Sequence, residues 1–562
     1  MIKQWLSFVV CITIIISVVK TSFSQTVVTV DPSIKYQVFE GWGTSLCWWA
    51  VLAGKWSDTN RDKLIGAIVD PDTGLGYSIF RYNIGGGDQP GHNHLTKGNG
   101  GAAVPGFKPT ETGSYDWNAD PYQRAILLDI AKRNNNCIFE AFSNSPPWWM
   151  TKSGCVSGNT NGEDNLKEDY FDNFADYLSE VVKHYKENWN ITFRTVEPFN
   201  EPNAGWWKSM GDQEGCGFKS NQSKMITELG KALAAKGLSP QTSVSASDES
   251  SIEQALKSLN TYDASALGYL SQVNTHSYSG YTSRVQLAQK TSSLGKRIWQ
   301  SESGPLHKDD NSNIALWMAD VIIKDIRDMK AQAWIDWQVC DPVSTWQTIT
   351  ANHSTQRFSY PVRYYMHAAF SRFIRPGSQI ISSNNNNTIA AIVPERESLV
   401  IVTRNGTTSN ASYTFDLSKF TKIGTAAKIY LFSLPGSLVA KPDFQLTSSK
   451  QLTVAVPSQS IVTCVIPDEN AVNISRVAST NSPVDNRVPR IMLQGSGIKI
   501  HNTSKRTLHV SLFDLSGKII CMQDIPGTTN QTLMSTLPRG IYIIRTISDG
   551  SMKETIQQLS VL

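Results

Sequence analysis

From residue 36 to residue 338 the chain alternates between two apolar rhythms. Short runs of strand length occupy residues 38–45, 76–84, 138–142, 191–198, 242–246, 273–278, 297–301 and 333–339. Between them apolar residues return every three or four positions, the spacing of one helix face. The clearest case is 171–185, where Phe171, Phe174, Ala175, Leu178, Val181, Val182 and Tyr185 form one stripe. Residues 122–134 carry Ala125, Leu128 and Ala131 at a spacing of three, residues 64–69 are an apolar patch in a helical region, and 224–236, 251–259 and 313–329 are also helical. Eight strand-then-helix units in roughly 300 residues predict a (β/α)8 TIM barrel, an α/β fold. A doubly wound sheet competes with it, but Gly41-Trp42-Gly43 lacks the third glycine and the acidic partner of a dinucleotide turn. These glycines suit instead a backbone that passes close to packed aromatics.

After a helical segment at 364–373 the rhythm changes. Runs at 388–393, 399–403, 411–415, 426–434, 452–456 and 461–466 are separated by turn residues and predict a side β-sandwich of roughly 90 residues. Residues 25–34 are expected to add an N-terminal strand to it, leaving 35–375 to the barrel and 376–467 to the sandwich. Residues 468–487 are polar, with Pro483 inside and Pro467 and Pro489 just beyond, and read as a linker. Runs at 491–500, 508–515, 518–524 and 540–547 predict a small C-terminal β domain over 488–562. Its marks are Phe513-Asp514-Leu515-Ser516-Gly517-Lys518, a strand entering a tight turn, and Leu537-Pro538-Arg539-Gly540-Ile541-Tyr542, a turn re-entering a strand. At the other end Lys3 precedes the apolar run from Leu6 to Val19, with small residues before Gln25. That run is shorter than the roughly 20 residues a bilayer span needs, so residues 1–24 read as a signal peptide. The expected destination is the cell surface or the medium.

Removing those 24 of the 562 residues leaves more chain than one compact core usually holds. A formal net charge of +4, with Lys and Arg scattered, offers no stripe for nucleic acid. The 16 Trp and 18 Tyr fit two readings, core packing or stacking on sugar faces. Without Cys11, seven of the eight cysteines remain, and their spacing fits no tetrahedral zinc pattern. Cys155 and Cys216 flank the segment around Glu201 in Gly-rich sequence and could staple two loops, whereas Cys47, Cys137, Cys340, Cys464 and Cys521 sit in apolar or strand-like runs and read as free thiols.

The chemistry concentrates at predicted strand ends, where barrels carry their functional side chains. Glu197-Pro198-Phe199-Asn200-Glu201-Pro202-Asn203 closes the fourth strand, and Ile298-Trp299-Gln300-Ser301-Glu302-Ser303-Gly304 the seventh. Two carboxylates delivered into one mouth match the needs of glycoside hydrolysis, in which one protonates the leaving oxygen. Glu201 suits that acid, with Asn200 beside it for a sugar hydroxyl; taken singly, each glutamate could equally be a salt-bridged surface group. Arg81 ends the second strand and could keep a nucleophilic carboxylate ionised. His276 and Tyr278, two apart and so on one face, close the sixth, and a tyrosine hydroxyl on the nucleophile would favour its charged form. No Asp or His cluster accompanies them, so no metal and no cofactor is expected. Trp148, Trp149 and Trp337 could floor a sugar site, Trp206 and Trp207 could form neighbouring subsites, and the loop 88–94 could reach the cleft. Trp48 and Asn144 complete the candidates for substrate contact.

Taken together, Phe39-Glu40-Gly41-Trp42-Gly43-Thr44-Ser45, Arg81-Tyr82-Asn83-Ile84-Gly85-Gly86-Gly87, Ser143-Asn144-Ser145-Pro146-Pro147-Trp148-Trp149-Met150, Asn200-Glu201-Pro202, His276-Ser277-Tyr278, Ser301-Glu302-Ser303-Gly304 and Phe370-Ser371-Arg372-Phe373-Ile374-Arg375-Pro376-Gly377 resemble glycoside hydrolase family 30 over residues 30–467. The resemblance implies a barrel with a side β-sandwich, a retaining mechanism, Glu201 as general acid/base, Glu302 as nucleophile and Tyr278 as its support. The stretch from Gly41 to Ala50, with Trp48-Trp49, is most similar to the endo-β-1,6-galactanase-like branch, which implies β-1,6-galactan chains of arabinogalactan as substrate; β-1,6-glucanases and xylanases of the family share the machinery. The last 70 residues or so resemble a type IX secretion sorting domain, which implies the secretion machinery as a partner, although residues 557–562 lack the basic residue frequent there. A monomer is expected. A non-catalytic glycan-binding protein is the competing class, and both glutamates at strand ends argue against it.

Overall fold

The computed structural model describes residues 25–305, 311–342 and 345–468, and in the C-terminal part 475–476, 490–494, 497–502, 506–514, 519–534, 540–548 and 554–561. The expected signal peptide and most of the expected linker lie outside the described residues. Strand β1 (Gln25–Phe39) belongs to the side domain, and the barrel starts after Glu40. Residues 38–45, expected as one strand, are therefore the end of β1 and all of β2 (Gly41–Ser45). Gly41, at φ 146°, turns the chain from one sheet into the other.

The barrel closes through β2, β3 (Ile79–Asn83), β4 (Ile138–Phe142), β5 (Phe193–Glu197), β6 (Ser243–Glu249), β7 (Leu270–His276), β8 (Arg297–Ser303) and β9 (Ala333–Asp336), all parallel, with β9 pairing back onto β2. The helices between and after them are α1 (Trp49–Ala53), α2 (Asp58–Val69), α3 (Pro121–Arg133), α4 (Phe171–Trp189), α5 (Gln222–Ala235), α6 (Ile252–Thr261), α7 (Ala264–Tyr269), α8 (Arg284–Ser293), α9 (Asn311–Arg327) and α10 (Val362–Ser371). The whole apolar stripe expected on α4 is buried. On α3 the buried face is instead Gln123, Ile126, Leu127 and Ile130, with Ala125, Leu128 and Ala131 at its edge. A spacing of three drifts off a 3.6-residue turn. Gln123 joins the core because its amide bonds the backbone of Asn83 on both sides, at 3.0 and 3.1 Å, and Asp120 at 2.7 Å.

Period two sorts the strand side chains. Phe80 and Tyr82 face the helices in the main core, while Ile79 joins Trp299, Ala333 and Ile335 in a small apolar cluster of the barrel strands. Much of the remaining interior is polar. Glu140 accepts hydrogen bonds from Arg81 Nε (2.9 Å), Thr195 (2.6 Å), Ser245 (3.1 Å), Gln272 (2.9 Å) and Asn274 (2.9 Å), so a fully buried carboxylate is satisfied by five side chains from four other strands. Gly43 keeps β2 against β3: a Cβ there would stand 2.1 Å from the Ile79 carbonyl oxygen. The close approach that requires a glycine is thus to backbone and not, as expected, to aromatic rings.

A short hairpin, β10 (Thr350–Asn352) and β11 (Arg357–Ser359), precedes α10. The side domain follows with β12 (Ser378–Ser383), β13 (Thr388–Val393), β14 (Ser398–Asn405), β15 (Ala411–Asp416), β16 (Ala426–Ser433), β17 (Ser437–Gln445), β18 (Gln451–Val456) and β19 (Ser460–Pro467). Two of these, β12 and β17, were not predicted; β17 is mostly exposed and carries Pro442, so it shows little apolar pattern. β1 links the layers: its first half runs parallel to β15 and its second antiparallel to β12. β14 is buried on both faces, with Leu399 and Ile401 in the side-domain core and Val400 and Val402 in the core shared with the barrel. Thr463 also donates to the Ala369 carbonyl at 2.7 Å.

The barrel and side domain form one compact unit through Asp468, and the C-terminal strands form a second. In the latter, Leu508–Asp514, Ile519–Ile525, Gly540–Ser548 and Glu554–Val561 lie in a five-stranded sheet, with Arg490–Gln494, Gly497–His501 and Asn530–Met534 in a three-stranded one. Residues 491–500, expected as one run, form two strands of a hairpin.

Candidate active site

At the C-terminal mouth of the barrel β5 ends on Glu197, and Pro198 turns the chain toward Glu201. Glu201 has φ 50°, in the left-handed region, a conformation that costs a non-glycine residue about 1–3 kcal/mol. Its surroundings hold it there: its N–H donates to the Asp248 carbonyl at 2.8 Å, and its own carbonyl accepts from Ala204 N–H and Trp207 Nε1, both at 2.9 Å. β8 is irregular in its pairing with β9 between Gln300 and Ser303 and presents Glu302 to the same mouth.

The two carboxylates meet over His276. Its Nδ1 lies 3.3 Å from Glu201 Oε1 and 3.5 Å from Glu302 Oε1, and its Nε2 is 3.3 Å from Asp248 Oδ1. One carboxylate oxygen each of Glu201 and Glu302 lies, with a His276 nitrogen, in a group no more than 4.8 Å across. Their other neighbours differ. Tyr278 Oη donates to Glu302 Oε1 at 2.9 Å, and Arg81 Nη1 is 3.7 Å from Glu302 Oε2. Glu201 Oε2 accepts from the Trp206 indole at 3.1 Å, and Trp206 is 56% exposed, so this oxygen faces the open side. Arg81, fully buried, also pairs with Glu140 and Asp248, donates to the Ser301 carbonyl and lies 4.2 Å from the centre of the Phe142 ring.

These contacts set the charges. Burial raises the Glu302 carboxyl, to about 7; the His276 and Arg81 cations oppose the rise and the charge of Glu201 adds to it. Burial would depress His276, but Glu302 and Asp248 outweigh it and lift the imidazole to about 10. Burial would likewise raise Asp248, yet Arg81 and His276 hold it well below the usual carboxylate range. Glu197, buried beside Asp248 and Glu140, is raised far above that range.

Above the carboxylates opens a cleft of about 830 Å³, within the size range of ligand sites. Trp48, Asn144, Asn200, Glu201, Trp206, Tyr278, Glu302 and Trp337 line it, as does Trp207. Trp48 and Trp337 meet edge to face, 5.0 Å between centroids. The buried Asn200 Oδ1 has no hydrogen-bond partner among the described residues. Arg81 and His276 act from beneath and do not line the cleft. Trp148 and Trp149 also stand off it: Pro146 and Pro147 carry the chain outward, and the two indoles donate to the Pro109 and Lys108 carbonyls at 3.0 Å. The loop 88–94 packs behind the wall formed by Ser157 and Gly211.

Sequence reasoning did not single out Lys97, Trp346 or Asp248. Asp248 was missed because the fifth strand was ended at residue 246; carried to Glu249, it places two acids at a strand end. Glu140 left its own signal, a lone charge inside Ile138–Phe142. Cys155 and Cys216, expected as a possible staple, are separate free thiols, and the other five cysteines from Cys47 onward are free as well.

A model of "O-Glycosyl hydrolase family 30" matches residues 25–349, more than half of the chain. The chain belongs to glycoside hydrolase family 30. It is 32% identical over 428 residues to an endo-β-1,6-galactanase of Hypocrea rufa, a match covering 72% of this chain and 85% of that one. It is 24% identical to an exo-β-1,6-galactobiohydrolase of Bifidobacterium longum, with 72% of this chain and 36% of that one covered. A conserved exported protein from Bacteroides fragilis shares the fold, with a TM-score of 0.68 and 20% identity over 78% of this chain and all of the other. This family 30 glycosidase also matches a secretion system C-terminal sorting domain at residues 495–561, which marks it for the medium or the cell surface.

Proposed function

We propose that this glycosidase cleaves β-1,6-galactan chains with retention of configuration, Glu302 acting as nucleophile and Glu201 as acid/base. The observation that carries the reading is the unequal surrounding of two facing carboxylates. Glu302 is held by Tyr278 and faced by Arg81 and His276, groups that favour a carboxylate ready to attack. Glu201 opens toward Trp206 and the wide side of the cleft, where a leaving sugar would sit. Their spacing of less than 4.8 Å between oxygens suits direct attack and leaves little room for the water an inverting pair holds.

In the first step Glu302 bonds the anomeric carbon while Glu201 gives its proton to the departing oxygen. In the second Glu201 takes a proton from water, which displaces Glu302 and restores both groups. Trp48, Trp337 and Trp206 offer flat faces for successive sugar rings, and Asn200 offers an acceptor for a hydroxyl. The galactan assignment is supported by the two relatives whose names carry β-1,6-galactosyl activities. A monomer suffices for this chemistry, because every group invoked belongs to one chain.

Product analysis over β-1,6-galactan, de-arabinosylated arabinogalactan, β-1,6-glucan and xylan tests the substrate, and proton NMR of the first-formed anomer tests retention. An oligomer ladder from galactan with the β-anomer first is the expected result. Prompt α-anomer overturns the mechanism, and preference for glucan or xylan overturns the substrate. Glu201→Ala should lose orders of magnitude on polysaccharide and much less on an aryl glycoside with a good leaving group, whose turnover azide should raise while giving a β-glycosyl azide.

A further inference from the structure

Behind one wall of the cleft four side chains of types that bind metals converge. Asp88, His92, His94 and Cys155 each bring one ligand atom, all within 4.8 Å of one another. His94 Nε2 lies 2.7 Å from Asp88 Oδ2 and 3.3 Å from Cys155 Sγ, and His92 Nδ1 is 3.1 Å from the same Asp88 oxygen. Ligands around a tetrahedral zinc ion, at bond lengths of about 2.0–2.3 Å, stand roughly 3.3–3.7 Å apart, so small outward shifts would admit the ion. Cys155 is 1% exposed, and the Asp88 and His94 side chains 10% and 9%.

The outer contacts point the same way. His94 Nδ1 bonds the Gly211 carbonyl, which fixes its proton there and turns the Nε2 lone pair to the centre. Asp88 Oδ1 accepts from Val156 N–H at 3.3 Å, leaving Oδ2 for the centre. Cys155 Sγ meets Ser157 Oγ at 3.1 Å and accepts from Met210 N–H at 3.4 Å, donors that suit a thiolate. A Cys-His-Asp nucleophile triad is a poor fit, because there the acid occupies the histidine nitrogen opposite the thiol. Here acid and thiol share Nε2, and their ligand atoms turn toward one point, an arrangement that a cation between them would hold together.

We propose that Asp88, His92, His94 and Cys155 form a structural site for a divalent metal of the zinc class, fastening the loop 88–94 to the segments 155–157 and 210–211. Thiol, imidazole and carboxylate make a borderline-soft set, and all four positions are filled by protein, as in structural sites. Binding releases the Cys155 thiol proton to solvent, and thiolate plus carboxylate then balance the dication. Ser157 and Gly211 also line the cleft, so the ion would stiffen a wall of the substrate site without touching the reacting atoms. The proposal is independent of the substrate and of the roles given to Glu201 and Glu302.

The test uses the full chain as secreted, dialysed against zinc and then metal-free buffer. Elemental analysis should give about one zinc per chain, and Cys155→Ser and His94→Ala should each fall below roughly a tenth of that. Cys216→Ser should keep its metal. Ser157→Ala, which loses a contact to the sulfur, should weaken affinity about 10–100-fold. Cobalt exchanged into the wild type should show a thiolate charge-transfer band and the strong visible bands of a tetrahedral ion, a reading that needs no variant to fold. Absence of bound zinc and of that charge-transfer band, undiminished metal in a folded Cys155→Ser, or a Cys155–Cys216 disulfide in peptide maps would each overturn the site.

Discussion

Tyr278→Phe tests the electrostatics of the proposed nucleophile most directly. The substitution keeps the ring and removes one hydroxyl, which donates to Glu302 Oε1 at 2.9 Å. A hydrogen bond to a charged group contributes about 1.5–3 kcal/mol, and the lower end applies because the pair opens to the cleft. The lost donor stabilised the ionised form, so its removal favours the protonated one. At 1.36 kcal/mol per pKa unit, 1.5 kcal/mol raises Glu302 by about one unit, from about 7 to roughly 8. Activity that requires ionised Glu302 is lost as pH falls through this value. The acid limb of kcat/KM should therefore move about one unit toward higher pH. At pH 7 the ionised fraction drops from about a half to about a tenth, a fivefold loss from ionisation alone. The assay is kcat/KM against pH on an aryl glycoside of the substrate sugar, with a thermal melt to establish folding. An acid limb that stays in place, or moves to lower pH, would refute the assignment of Glu302 and its support by Tyr278.

Arg81→Met should destabilise the barrel by about 3–5 kcal/mol, because Glu140 and Asp248 lose a buried cation; a denaturant midpoint unchanged from wild type would contradict the buried network. Gly43→Ala should cost roughly 3 kcal/mol or more, since its methyl would stand 2.1 Å from the Ile79 carbonyl oxygen; a loss under about 0.5 kcal/mol in chemical denaturation would show that β2 and β3 sit farther apart. Asn200→Ala should lower kcat/KM about 10–100-fold with the melt unchanged, as expected when an acceptor for a sugar hydroxyl is removed. Equal activity of variant and wild type on galactan would remove Asn200 from the site.

The barrel was legible because its strands are buried apolar runs and its helices amphipathic, so element type followed from period alone. Strand ends were less legible where polar residues continue the ladder inside a closed barrel. Asp248 and Glu249 look like part of a loop until their buried partners Arg81, Ser258 and Ser301 are known. Glu201 and Glu302 stood out because one follows a strand end and the other lies at one, each in a distinctive sequence, whereas Lys97 and Trp346 lie in irregular segments with no pattern to mark them. The grouping of Cys155 with Asp88, His92 and His94 was hidden for a simpler reason: the thiol comes from a different loop, and linear spacing describes a metal site only when its ligands are neighbours in sequence.

β1 has one further consequence, for the order in which the chain can mature. Gln25 and Thr29 bond to Thr414 and Asn384, residues 389 and 355 positions downstream. β1, the first strand of the described residues, thus has open edges until nearly all of the catalytic unit has been made. During that interval the barrel can be wound but not fastened, and contacts of such long range form slowly. A chain cut short before residue 378 would lack both strands that flank β1, so the side domain acts as a late latch that closes only after the whole barrel has been made.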